Sequence, residues 1–109
     1  MAVDTEAVSR LAQSYANDVR RVLPVDRAVL YGSHAKRTAT EQSDIDICFF
    51  LNHFGGKQRV DILQELLGLM HRYKGVYFEP NVFPTSEIQN DNPFVNEILR
   101  TGWEIPMDG

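Results

Sequence analysis

The segment from Asp44 to Leu51 constrains the fold of this chain more than any other. It begins by alternating acidic and β-branched residues, and from Ile47 onward every residue is apolar. Such a run is typical of a central strand whose two faces are both buried beyond Asp46. A strand of this kind needs helices on at least one side of its sheet. The segment therefore predicts a sheet covered by helices.

The rest of the chain alternates helical and strand patterns. Apolar residues at helical spacing predict a first helix that is capped by Asp4 or Thr5 and stopped by Pro24. Pro80 has no N–H and predicts an edge or a bulge in the third strand. Seven further elements are predicted: a strand at 28–31, a short helix at 33–37, a loop at 38–43, a helix at 58–74 ended by Gly75, a strand at 76–83, a helical turn at 87–90 and a last helix that starts at Asn92-Pro93 and ends at Gly102. The order predicts an α/β (α+β) fold, a small mixed β-sheet with helices packed on it, as one domain over residues 1–109.

Composition and charge limit the partners that we expect. The net charge of −4 and the sequence pI of about 5.2 leave no basic footprint over the whole chain, so nucleic acid is not an expected partner. Cys48 is the single cysteine and is expected to be an inert, buried thiol. The apolar runs are far shorter than the ~18 residues that span a membrane, and the start of the chain lacks a signal-peptide pattern. We therefore expect a cytoplasmic protein without membrane contact.

Gly32 and Ser33 follow a predicted strand and open a turn. Backbone N–H groups at such a position are unpaired and bind phosphate well. Gly32 lets a phosphate approach the backbone closely, and Lys36 and Arg37 lie near enough in sequence to neutralise more negative charge. The alternative is a plain strand-to-helix turn, in which the glycine relieves strain and the serine is a cap.

Asp44 and Asp46 are two residues apart on a predicted strand and therefore point to the same face, with Cα atoms roughly 6–7 Å apart. Two such carboxylates repel each other unless a cation or hydrogen-bond donors compensate. Mg²⁺ suits them, because it takes one or two carboxylates together with substrate phosphate oxygens. The alternative is that Asp44 caps a loop and Asp46 faces solvent. The phosphate-type turn upstream makes the combination more specific than either half.

Gly32-Ser33 with Ala35, followed by Ser43-Asp-Ile-Asp-Ile47, resembles the signature of the nucleotidyltransferase superfamily typified by DNA polymerase beta. The spacing and chain length resemble its minimal nucleotidyltransferases, found beside HEPN-domain partners. The resemblance implies a short mixed sheet and the transfer of a nucleoside monophosphate, expected to be AMP from ATP, to a hydroxyl. It also implies that the Gly-Ser turn holds triphosphate and that Asp44 and Asp46 bind Mg²⁺ or Mn²⁺.

The chain departs from this family at two positions. Arg37 stands where the family usually has glycine, so it is either strained at a positive φ or adds a phosphate contact. The family uses a third carboxylate on a later strand, and the candidate is Glu79, where aspartate is usual. The implied role of Glu79 is metal ligand and general base. The alternative is a solvated glutamate on an edge strand beside Pro80.

Several other tempting side chains receive no chemical role. The three histidines have no ligand spacing and are expected at the surface, although His34 lies in the site loop; the others are His53 and His71. Tyr77, Phe78 and Trp103 are expected in the core or facing a partner.

These observations give a leading hypothesis and two alternatives. The leading hypothesis is a metal-dependent nucleotidyltransferase whose acceptor surface, or whose acceptor itself, is a HEPN-type protein partner. The first alternative is a non-catalytic, antitoxin-like subunit that binds nucleotide and masks a partner sterically. The second is an antibiotic nucleotidyltransferase, for which this chain is too short to include the helical acceptor domain. A homodimer is compatible with all three.

Overall fold

The computed structural model describes residues 4–40 and 42–107. Part of the predicted loop at 38–43 and both ends of the predicted domain at 1–109 therefore lie outside the described residues. The elements are α1 (Thr5–Arg20), β1 (Val25–Tyr31), β2 (Ile45–Leu51), α2 (Arg59–Leu69), β3 (Phe78–Pro84), α3 (Pro93–Thr101) and β4 (Trp103–Glu104), with short 3₁₀ helices at Met70–Arg72 and Thr85–Gln89. This architecture confirms the predicted sheet with helices packed on it.

The four strands form one mixed sheet in the order β3-β2-β1-β4. β1 is antiparallel to both β2 and β4, whereas β2 and β3 are parallel. β2 therefore lies inside the sheet, and every residue from Ile47 to Leu51 is buried. The prediction of a central strand is confirmed.

Helices cover both faces of this sheet. α1 and α2 pack on one face, where Tyr15 is fully buried and its hydroxyl donates a 2.7 Å hydrogen bond to the backbone oxygen of Leu66. α3 packs on the other face through Val95 and Ile98, against residues of β1 and β2 that include Cys48. Because side chains alternate along a strand, Asp46 lies on the same face as Cys48, the α3 face.

Side-chain caps fix the starts of two helices as predicted. The Asp4 carboxylate accepts from the Ala7 N–H at 3.1 Å, and the Asn92 side chain accepts from the first turn of α3. Other boundaries differ: β1 starts at Val25 rather than 28, α2 ends at Leu69 and continues as 3₁₀ helix rather than reaching 74, and β4 was not predicted. Short apolar runs predict that an element exists better than where it ends.

The predicted short helix at 33–37 is wrong, because this segment is a turn. One α-helical hydrogen bond forms, from the Lys36 N–H to the Gly32 oxygen at 3.0 Å, and one 3₁₀-type bond, from the Arg37 N–H to the His34 oxygen at 3.3 Å. Gly32 and Arg37 have φ values of +73° and +60°. Left-handed backbone at both ends prevents the turn from extending into a helix.

β3 is the edge strand that Pro80 predicts, and its outer edge is capped. The Val82 N–H donates to the Asn81 side-chain oxygen at 2.9 Å, and Arg59 Nε donates to the Val82 backbone oxygen at 2.9 Å. Pro80 and Pro84 lie at the outward-facing positions two residues away, where no N–H is needed for the ladder. Such capping prevents an exposed edge from pairing with another strand.

None of the helices within residues 4–40 and 42–107 is long and apolar enough to cross a membrane.

Candidate active site

Tyr31, Asp46 and Glu79 form a row across the sheet. Asp46 is the register partner of Tyr31 on β1 and of Glu79 on β3. Register partners point to the same face, and neighbouring strands lie about 4.8 Å apart. The sheet therefore brings together two of the three predicted acids. Asp44 immediately precedes β2, and its charge acts on Asp46.

Asp46 also lies directly against the predicted phosphate-binding turn. A Cβ built on Gly32 would overlap the Asp46 Oδ2 atom and would lie 3.1 Å from its Cγ. The φ of +73° at Gly32 is a second reason for glycine at this position. Gly32 is therefore the residue that lets the carboxylate of β2 contact the backbone at the end of β1.

The acids act on one another electrostatically. Partial burial raises the pKa of Asp46 from 3.8 to about 7, helped by a hydrogen bond with Glu79 and by the negative charges of Glu79 and Asp44. The pKa rises because the folded chain disfavours another negative charge at this position. The cluster is therefore short of positive charge.

The donor set fits a divalent cation that binds together with substrate phosphates. Within the described part of the chain, no three His, Cys, Asp or Glu side chains are placed to hold a metal by themselves. Asp44, Asp46 and Glu79 offer hard carboxylate oxygens, which suit Mg²⁺ with its few protein ligands, retained waters and phosphate oxygens. The donor types therefore fit a divalent cation that takes water and phosphate oxygens as its remaining ligands.

The turn after β1 presents unpaired backbone donors. Among the residues that the structure describes, the N–H groups of Ser33, His34 and Ala35 have no hydrogen-bond partner, and neither has the Ser33 hydroxyl. The Ser33 oxygen accepts from the Thr38 N–H at 2.9 Å, which closes the turn. Successive free N–H groups form an anion-binding concavity.

The two basic side chains of the turn, Lys36 and Arg37, point toward different faces of the sheet. Lys36 is exposed. Arg100 is the main cause that lowers the pKa of Glu97 on α3, and the charge of Lys36 adds to this effect, so Lys36 lies toward the α3 face. The Arg37 guanidinium lies 5.4 Å from the centre of the Trp103 ring, beside a cavity of about 250 Å³. Trp103 packs against the core of the opposite face, and its partner on β1 is Leu30. Arg37 has the positive φ that is one of the two predicted alternatives, and its side chain points toward Trp103 and away from the acids.

The remaining sequence expectations have mixed outcomes. His34 is only 8% exposed, with Nε2 3.4 Å from the Ser43 oxygen, so its expected surface position is wrong, because the loop folds back over it. His53 and His71 are exposed as predicted. Cys48 is buried as predicted, and burial raises its pKa to about 12, which keeps the thiol protonated. Three aromatic residues were grouped together as core or partner-facing: Phe78 is buried, Trp103 half-buried and Tyr77 71% exposed.

Sequence reasoning missed Tyr31. Burial is the largest cause that raises its pKa, to about 12, and the charges of Asp46 and Glu79 act in the same direction. Its phenol therefore stays protonated beside the acids. The signal was present, since Tyr31 is the last residue before Gly32 and an antiparallel pairing of the first two strands places it opposite Asp46.

Comparisons with known proteins identify the family and the fold. The family model described as nucleotidyltransferase domain matches residues 13–99. Among solved structures, a crystal structure of a protein from Sulfolobus solfataricus, provisionally described as a nucleotidyltransferase, superimposes with a TM-score of 0.64. That likeness covers 92% of this chain and 80% of the other at 15% sequence identity, so it concerns the fold alone. A search of curated proteins gave no match.

The family match spans the whole region that builds the site, from the middle of α1 through the turn and the three acids Asp44, Asp46 and Glu79, here called the acid row, to most of α3. This agrees with the minimal nucleotidyltransferase that the sequence resembles, and with its mixed sheet. On this evidence, the chain belongs to the nucleotidyltransferase domain family.

Proposed function

We propose that this protein transfers a nucleoside monophosphate, AMP from ATP, to a hydroxyl group in a reaction that depends on Mg²⁺ or Mn²⁺. The observation that carries the proposal is the contact between the Asp46 carboxylate and Gly32. This contact places the turn, which suits phosphate, beside the acid row, which suits a cation.

The turn would bind and orient the triphosphate. Its free N–H groups at 33–35 and the Ser33 hydroxyl are donors for phosphate oxygens, and Lys36 adds positive charge on the same face. Donors fixed by the backbone need no rearrangement when negative charge develops, so they favour the transition state as well as binding. Arg37 is left out of this assignment, because its guanidinium contacts Trp103.

Asp44, Asp46 and Glu79 would hold the divalent cation. When bound, the cation supplies charge neutralisation and polarisation of the phosphoryl oxygens. The raised pKa of Asp46 supports this assignment, because the acid row carries more negative charge than it can stabilise alone.

In the transfer step, the acceptor oxygen forms a bond to the α-phosphorus, and the bond from that phosphorus to the oxygen bridging it to the β-phosphate breaks. The nucleotide fragment stays on the acceptor, and pyrophosphate leaves. Glu79 is exposed at the end of the row on the edge strand. It can therefore meet an acceptor from solvent, and, as the resemblance implies, it would take the hydroxyl proton.

The acceptor is proposed to be a hydroxyl on a partner protein of the HEPN type. The support is the resemblance to minimal nucleotidyltransferases, together with the exposure of Asp44 and Glu79, which leaves the row open to a second molecule. A non-catalytic, antitoxin-like masking subunit is the competing function, and the same assay separates the two.

The test is incorporation of α-labelled ATP into a co-purified protein, with Mg²⁺, by native protein and three variants. We expect native protein and the control Glu6→Gln, which changes an exposed acid of α1, to label the partner equally. Glu79→Gln is expected to reduce labelling by on the order of 100-fold, the usual effect of losing a general base, and Asp46→Asn to abolish it. If Asp46→Asn labels the partner at the native rate, the proposal is refuted. If native protein binds ATP but labels no partner, the masking subunit is favoured.

A further inference from the structure

An exposed aromatic ring lies beside the acid row. Phe94, in the first turn of α3, is 47% exposed. Its ring meets Tyr31 edge to face, with centroids 6.1 Å apart, and Phe83 at 5.9 Å. Both neighbours are partly buried against the core of the α3 face, whereas about half of Phe94 is open to solvent. These two contacts hold the inner edge of the Phe94 ring in place, and the exposed part of the ring is available for a ligand.

The position of this ring relates it to the site. Tyr31 belongs to β1 and Phe83 to β3, so a ring that contacts both lies over β2, the strand that carries Asp46. Tyr31 is also the register partner of Asp46. Phe94 is therefore one side chain away from the acid row, on the same face of the sheet.

We propose that Phe94 is the stacking surface for the nucleobase of the nucleoside triphosphate. The inference rests on the proposed function, in which the turn at 32–35 takes the phosphates. A nucleotide anchored there and extended away from the acids passes over β2 and meets this ring. Within residues 4–40 and 42–107, the other large exposed apolar residues lie elsewhere: Val22 just after α1, Val60 and Leu67 on α2, and Tyr77 beside a cavity lined by α1.

Stacking on an aromatic ring suits a base chemically. Every base has a flat π face, and a rigid phenyl ring gives up little conformational freedom when it is covered. Phe94 is held on two sides by aromatic contacts, so its orientation is set before the ligand arrives. The ring would act as a positioning residue that directs the α-phosphorus toward the acid row.

Calorimetry with two probes tests this inference, using ATP and inorganic triphosphate, both with Mg²⁺. Phe94→Ala is expected to weaken ATP binding about 5- to 150-fold, the range for losing one stacked base, and to leave inorganic triphosphate binding unchanged. Phe94→Trp keeps a ring and is expected to bind ATP at least as well as native protein. Leu67→Ala, at an equally exposed apolar site on α2, is the control and should change neither affinity.

Three results would overturn the inference. These are unchanged ATP affinity in Phe94→Ala, equal weakening of both probes, or native protein that binds inorganic triphosphate as tightly as ATP. Circular dichroism of each variant establishes that it is folded. If Phe94→Ala is not folded, Phe94→Leu, which keeps apolar volume against the core but has no ring, is measured with the same two probes and judged by the same criteria. Native protein that binds neither probe would refute the proposed function itself, a result distinct from all three.

Discussion

Replacing Gly32 by alanine tests the contact on which the site is built. The new methyl group has two effects. It places a side chain at a φ of +73°, which costs about 1–2 kcal/mol, and it overlaps the Asp46 carboxylate, which must move at a cost of about 1–3 kcal/mol. We therefore expect the free energy of unfolding to fall by about 2–5 kcal/mol, measured by urea denaturation.

Gly56 provides a matched control, because its φ is +80° and a Cβ there meets nothing within 4 Å. Gly56→Ala should incur the backbone cost alone, so the difference between the two variants isolates the contact at about 1–3 kcal/mol. In an Asp46→Ala background, Gly32→Ala should lower the free energy of unfolding no more than Gly56→Ala does. This comparison is a double-mutant cycle. Equal losses for the two glycine variants in the native background would show that the carboxylate does not lie against Gly32.

Three further substitutions test the electrostatics and the packing. Asp46 has a raised pKa, so the folded protein holds its proton more tightly than the unfolded chain does, and its contribution to stability falls as the pH rises from about 4 to about 7. Asp46→Asn should therefore gain stability relative to native protein by about 1–2 kcal/mol between pH 5 and pH 8, after allowance for solvent screening, and a constant difference in thermal unfolding would contradict this. Arg59→Ala should lose about 1–2 kcal/mol, because it removes the hydrogen bond to the Val82 oxygen that caps β3; unchanged urea midpoints would be the opposing result. Tyr15→Phe should lose about 1 kcal/mol by removing a buried hydrogen bond to Leu66, with no change in nucleotide binding.

The sequence was most informative where the signal was local. The apolar run of β2, the Asp-x-Asp pair and the Gly-Ser turn each depend on residues within a few positions, and the sheet places them together as expected. Glu79 was chosen because it lies on the strand after the second helix, and the parallel register then sets it beside Asp46. Whether these residues bind metal and nucleotide stays a prediction.

Features that depend on distant parts of the chain were not foreseen. β4 has two residues and exists because it pairs with β1, about 75 positions earlier in the chain. The same pairing brings Trp103 to Arg37, which explains where that guanidinium goes. These two contacts are set by sheet order, which periodicity within one segment does not encode. The burial of His34 has a more local cause: its Nε2 lies 3.4 Å from the backbone oxygen of Ser43, nine residues later, and a polar loop has no periodicity that predicts this contact.

The dependence of ATP binding on a divalent cation tests whether the acid row is a metal site. We expect calorimetry to detect ATP binding by native protein with excess Mg²⁺ and none with excess chelator, because the acid row repels phosphate unless a cation intervenes. In Asp46→Asn, we expect the ATP affinity to differ little between Mg²⁺ and chelator. In Glu6→Gln, we expect ATP binding to require Mg²⁺, as in native protein. Equal ATP affinity of native protein with Mg²⁺ and with chelator would contradict the assignment of Asp44, Asp46 and Glu79 as metal ligands.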